Sequence, residues 1–160
     1  MARILIVGCG CRGLALARAL PEHAVRGTTR SAERLVELET AGIEGVVADP
    51  DRLGTLVRAL DGVTVVCWLM GSAVESPGVH GERLQTLLEH LVDTPVRGFV
   101  YEGAGAVEAA VLSRGAQLVR EAAETWHIRV EVVSADPSAH EAWLGAMKEA
   151  IGRTLSTLTP

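Results

Sequence analysis

The chain has 160 residues, the size of one folding unit, and that length excludes two domains of ordinary size. Apolar residues make up 48% and charged residues 22%, which is enough apolar material for a packed core and excludes a disordered composition. Fifteen Lys and Arg against twenty Asp and Glu give a net charge of −5, and aromatic residues are only 3%, so nucleic acid and anionic membrane are poor partners for the average surface.

Apolar runs and helical-period stretches alternate from end to end. Ile4-Leu5-Ile6-Val7 reads as a short buried strand; Leu14, Leu16, Ala17 and Leu20 follow at helical spacing and stop at Pro21. A second strand is expected over Ala24–Thr28, then a helix from Ser31, its N-cap, to Thr40, with Gly42 after its end. Ile43–Ala48 reads as the third strand. Asp49-Pro50-Asp51 opens a helix over Leu53, Leu56, Val57 and Leu60, closed by Asp61-Gly62, and Val63–Met70 is the longest strand-like run.

In the second half, residues 71–81 form a Gly/Ser/Pro-containing loop, and Leu84, Leu87, Leu88 and Leu91 make a helical stripe. Val96–Tyr101 is a fifth strand. Val107–Trp126 is helical with Gly115 in its middle, which leaves open whether it is one helix or two, and Ile128–Val133 is a sixth strand. In the last helix Trp143, Leu144, Met147, Ile151 and Leu155 lie on one side; packing on the sheet is the expectation, and a homodimer through part of that helix stays open. Six apolar strands each followed by a helix predict one α/β domain over 1–160: a doubly wound parallel sheet in order 3-2-1-4-5-6, covered on both faces.

The chemistry-bearing motif is Gly8-Cys9-Gly10-Cys11-Arg12-Gly13, directly after the first strand and opening the first helix. In that context Gly8 permits the tight turn, Gly10 lets the backbone approach a pyrophosphate, and Gly13 lets helix and strand pack closely. Together with Val25-Arg26-Gly27-Thr28-Thr29-Arg30-Ser31 and Val47-Ala48-Asp49, it resembles the NAD(P)-binding Rossmann proteins, most closely the extended and atypical short-chain dehydrogenase/reductases, the epimerase-like and NmrA-like group. The resemblance covers roughly residues 2–135, its specific motifs 4–75. It implies that Gly8, Gly10 and Gly13, with Cys11 beside them, line a pyrophosphate. It further implies that Arg30 meets the adenosine ribose, that Asp49 contacts adenine, and that Met70-Gly71-Ser72 lies toward the nicotinamide ribose.

After the fifth strand the chain departs from that pattern. Catalytic members carry Tyr-x-x-x-Lys there; here the only tyrosine is Tyr101, Gly105 stands four residues on, and the only lysine is Lys148. Two readings follow: an NADP(H)-binding module without standard dehydrogenase chemistry, a sensor or regulatory partner, or a small NADP-dependent oxidoreductase using other residues. For the second, Glu102, His80 and Ser72 are the catalytic candidates, since all three fall after the fourth or fifth strand on the carboxyl-end side. NADP is expected over NAD. The second strand ends Thr28-Thr29-Arg30-Ser31 with no acid until Glu33, so no carboxylate awaits a ribose 2′-hydroxyl. Arg30 offers a fork suited to a 2′-phosphate, Thr29 and Ser31 add hydroxyls, and Arg12 is placed to approach the same phosphate from the glycine loop.

The five histidines show no metal-ligand spacing, and no metal is expected. The glycine-loop pair Cys9 and Cys11 is read either as small residues that fit beside a pyrophosphate or as a redox pair; Cys67, within an apolar strand, reads as core. An odd cysteine count suits a reducing compartment, and four apolar residues between Arg3 and Gly8 are too few for a signal-peptide core, so a cytoplasmic location is expected.

Overall fold

The first strand, β1 (Arg3–Val7), is apolar after its first residue because it lies at the centre of a sheet packed on both faces. In the computed structural model, which describes residues 2–156, it is flanked by β2 (Ala24–Thr29) on one side and β4 (Val65–Trp68) on the other. β3 (Glu44–Val47) pairs with β2, β5 (Gly98–Glu102) with β4, and β6 (Arg129–Val133) with β5, all parallel, in the order β3-β2-β1-β4-β5-β6. The predicted topology is the observed one. Met1 and residues 157–160, the ends of the expected 1–160 domain, lie outside the described residues.

Alternation along the strands divides the core. Ile4, Ile6, Val65, Cys67 and Val100 face one layer, made of α1 (Cys11–Arg18), α2 (Leu35–Thr40) and α6 (His140–Ser156). Leu5, Val7, Val66, Trp68, Phe99 and Tyr101 face the other, made of α3 (Leu53–Leu56), α4 (Glu82–Leu91) and α5 (Ala109–Trp126). The stripe of the last helix belongs to the first layer: Trp143, Met147 and Ile151 are buried, with Leu144 and Leu155 packed at its margin. Each such buried side chain contributes about 1.5–3 kcal/mol, so α6 is bound by its own apolar face. Arg26 in β2 is buried, donating from Nε to Glu44 of β3 and from Nη1 to the Ala59 and Asp61 carbonyls; it ties the sheet edge to the turn before β4.

Several helices differ from the sequence expectation. Ser31 does cap, its hydroxyl accepting the Glu33 N–H, but the segment begins as a 3-10 turn (Ala32–Arg34) before α2. The helix expected through Leu60 is only α3 followed by a 3-10 turn (Arg58–Leu60). Gly54 and β-branched Thr55 and Val57 weaken it, and the Thr55 hydroxyl bonds the Asp49 and Arg52 carbonyls. α5, in contrast, is one continuous helix. Gly115 does not break it: a Cβ there would collide with the Tyr101 hydroxyl, so the glycine makes room for a β5 side chain.

Candidate functional site

Strand order places the switch point between β1 and β4, where neighbouring connections leave in opposite directions and open a crevice at the carboxyl ends. The glycine loop forms its floor. Gly8 has φ +83°, a left-handed conformation, and a Cβ there would overlap Met70 and the Leu69 carbonyl across the crevice. At Gly10, by contrast, the nearest atom to a Cβ is Arg34 Nη1 at 4.0 Å, so the backbone stands open in front. A Cβ on Gly13 would press on Ile6 at 3.2 Å and on Cys9 Sγ at 3.0 Å, which is the helix-to-strand approach expected of it. No side chain caps α1, leaving its first-turn N–H groups for an anion. A bound pyrophosphate fits that donor set.

Cys9 and Cys11 part company in the loop. Cys9 is buried against Gly13 and Gly27, and burial pushes its thiol up to about 11, whereas Cys11 is exposed and lines the cleft. Cys9 is therefore held as an unreactive thiol, and the geometry favours the small-residue reading of the pair. Cys67 is fully buried, its thiol pushed up to about 12.

Two adjoining cavities fill the crevice and share Gly8, Gly10, Arg30 and Met70. One, of about 310 Å³, is also lined by Thr29, Ser31, Arg34, Ala48 and Pro50. The other, of about 430 Å³, runs over Cys11 and Arg12 to Ser72 and the segment 73–76. Arg30 crosses between them. Its Nη2 donates to the Ser76 hydroxyl at 3.1 Å, and Asp49 and Asp51 lie 3.5 and 3.6 Å from the guanidinium. Asp49 lines neither cavity: Oδ1 accepts the Asp51 N–H and the carboxylate faces Arg30, while Ala48 and Pro50 form the wall where an adenine contact was implied for Asp49. Arg34 was not singled out from the sequence, although its place four residues after Arg30, in the turn that follows β2, is the signal that would have found it.

The loops after β4 and β5 account for the catalytic candidates. Glu102 is fully buried, its Oε1 accepting from Gly71 N–H (2.8 Å) and Arg12 Nη2 (2.8 Å), its Oε2 from Arg12 Nη2 (3.0 Å) and Trp143 Nε1 (3.0 Å). Arg12 thus faces Glu102, with its guanidinium 5.6 Å from the Trp143 ring centre, and not the ribose end where the sequence reading placed it. Gly71 is buried by the same cluster. His80 is also buried: Nε2 lies 2.7 Å from the Met70 carbonyl and must donate, so Nδ1 accepts from the Tyr101 hydroxyl at 2.5 Å. Burial lowers the His80 pKa and raises that of Tyr101, which the neighbouring Glu102 carboxylate raises further. Neither Glu102 nor His80 lines the cleft. Ser72, exposed on the wall of the larger cavity, is the candidate the structure brings to it. Tyr101 lies in the core layer of α4 and α5, while Lys148 is exposed on α6 across the sheet, so the only tyrosine and the only lysine do not meet. No described helix is long and apolar enough to cross a membrane.

Six parallel strands in this order, with a glycine loop at the switch point, define the Rossmann class of α/β fold. Solved structures of an epimerase and of two reductases share this fold. UDP-glucuronic acid 4-epimerase from Bacillus cereus, in complex with NAD, is 17% identical with a TM-score of 0.66, over 84% of this chain and 56% of its own. Vestitone reductase from alfalfa is 17% identical with a TM-score of 0.65, over 82% and 56%. Triphenylmethane reductase from Citrobacter sp., complexed with NADP(H), is 18% identical with a TM-score of 0.64, over 81% and 48%. The chain thus spans about half the length of these structures. No family profile and no curated protein sequence matches it.

Proposed function

We propose that the chain is an NADP(H)-binding module that operates without the Tyr/Lys pair of the short-chain dehydrogenases. The observation that carries this reading is the smaller cavity: Arg30 and Arg34 stand beside Ser31 and the glycine-loop backbone, and no carboxylate is among its lining residues. Such a set favours a ribose 2′-phosphate, through charge-assisted bonds from planar guanidinium groups, over a free 2′-hydroxyl. Gly8, Gly10 and the first turn of α1 would hold the pyrophosphate, with Met70 against the opposite side. NADPH would bring a transferable hydride; the role of the residues named here is to hold its adenosine phosphate half. The solved structures of like fold that carry NAD or NADP(H) support a nicotinamide dinucleotide in this crevice.

Titration calorimetry tests the reading. NADPH is expected to bind more tightly than NADH, and Arg30→Ala to weaken NADPH by roughly tenfold to a hundredfold while leaving NADH nearly unchanged. Equal affinities in the wild type, or an equal loss for both in the variant, would refute it. One observation keeps a small oxidoreductase as the second reading, the exposed Ser72 hydroxyl on the larger cavity. Steady NADPH oxidation with a carbonyl, imine or flavin substrate, abolished by Ser72→Ala, would favour that alternative.

A further inference from the structure

A doubly wound sheet has two mononucleotide halves, β1 to β3 and β4 to β6, and a dinucleotide ordinarily spans both. Among the described residues, the cavities over the two halves are separate. Both cavities of the crevice belong to the first half and the loop after β4, and no described residue after β5 lines either one. A separate cavity of about 380 Å³ lies over the second half, bounded by Gly103, Gly105, Ser113, Arg120 and Ser134, and it shares no residue with them.

A ridge stands between. Its first part is the Arg12–Glu102 ion pair, which brings the guanidinium from the glycine loop over the end of β5 and onto Trp143. Its second part is backbone. Val107 N–H donates to the Gly71 carbonyl at 2.9 Å, and a Cβ on Gly71 or Gly105 would overlap the facing chain, so the loops after β4 and β5 are in direct main-chain contact. Both oxygens of the Glu102 carboxylate already have donors, and Arg12 Nε is the one buried polar side-chain atom among the described residues without a partner.

We infer that the cleft holds its ligand by the adenosine diphosphate half alone and leaves whatever is attached beyond the second phosphate outside the fold. This rests on the cofactor reading above and narrows it. The ligand class is any adenosine diphosphate ester bearing a ribose 2′-phosphate, whether or not it carries nicotinamide. Hydride transfer requires the reactive ring and its acceptor in one chamber at near-contact distance, and the ridge closes the crevice off from the space over the second half, where a dinucleotide's second nucleotide ordinarily lies.

The test uses the unmodified chain and three ligands: NADPH, 2′-phospho-ADP-ribose and nicotinamide mononucleotide. Calorimetry should give the first two affinities within about threefold of each other and no binding of the third. The nicotinamide emission of NADPH should keep its solution maximum and intensity when bound. A phospho-ADP-ribose affinity weaker than that of NADPH by about thirtyfold or more, or a blue-shifted and enhanced emission, would overturn the inference while leaving the cofactor reading intact. Failure of both adenine ligands to bind would overturn the cofactor reading, and the inference with it.

Discussion

Glu102 is a carboxylate with no exposure at all, and its partner Arg12, from the start of α1, keeps about a third of its side chain in water. Removing one member of such a pair strands the other, which costs far more than the pair gains over an apolar replacement. Arg12→Ala is therefore expected to destabilise the fold by about 3 kcal/mol in urea denaturation, since Gly71 and Trp143 still donate to the stranded carboxylate. Adding Glu102→Gln should recover most of that loss. A single-variant loss below about 0.5 kcal/mol would show the pair to be a surface contact. Nothing in the sequence announces this pairing. Ninety residues separate its members, and each reads alone as a site residue: an arginine on a phosphate loop, an acid at a strand end. The glycines behave in the opposite way. Gly8, Gly10 and Gly13 do what their spacing predicts, because backbone geometry is local, whereas Gly115 acquires its reason only from Tyr101 in another element.

Strands were more legible than helices. All six are found close to their expected positions; the central β1 and β4 are plain apolar runs after the first residue of β1, and the polar residues of β2, β3 and β6 do not displace those strands. The segments 31–40 and 53–60 hold shorter α-helices than the sequence predicts, each combined with a 3-10 turn; around Thr55 propensity is marginal, and its hydroxyl-to-carbonyl bonds compete with the helical ladder. Within the loop that the sequence predicts over residues 71–81, a 3-10 turn at Pro77–His80 delivers His80 between the Met70 carbonyl and β5. Desolvation holds His80 below its ordinary 6.5, so between its folded and unfolded values the unfolded chain binds the extra proton. Stability from this bridge is complete above about 6.5 and declines as pH falls below it. His80→Gln, which can donate to Met70 and accept from Tyr101 without titrating, should lose less stability than wild type between about pH 7.5 and about pH 5.5, as measured by urea midpoints. Parallel declines in the two proteins would place the acid sensitivity elsewhere.

For the molecule as a whole, topology followed from chain order and apolar pattern, and the crevice from the position of the glycine loop. The division of the carboxyl-end surface into separate basins did not, because it depends on main-chain contact between two loops and on side chains far apart in sequence. The same holds for the charge environment at the end of β2. The missing acid there was readable; the two aspartates that reach Arg30 from the connection after β3 were not.

Arg30 also acts as a strut. It spans from the end of β2 to Ser76 and braces the 72–76 segment from across the cleft. A phosphate that recruits this guanidinium competes with Ser76 for it, so under the cofactor reading ligand entry releases the brace. The empty form is then the more tightly tethered one, the reverse of a lid that closes on its ligand. Amide hydrogen exchange in residues 72–76 should accordingly quicken when NADPH binds, while the glycine loop slows. Slowing in both segments would mean that the strut survives binding and that the phosphate is met by Arg34 instead.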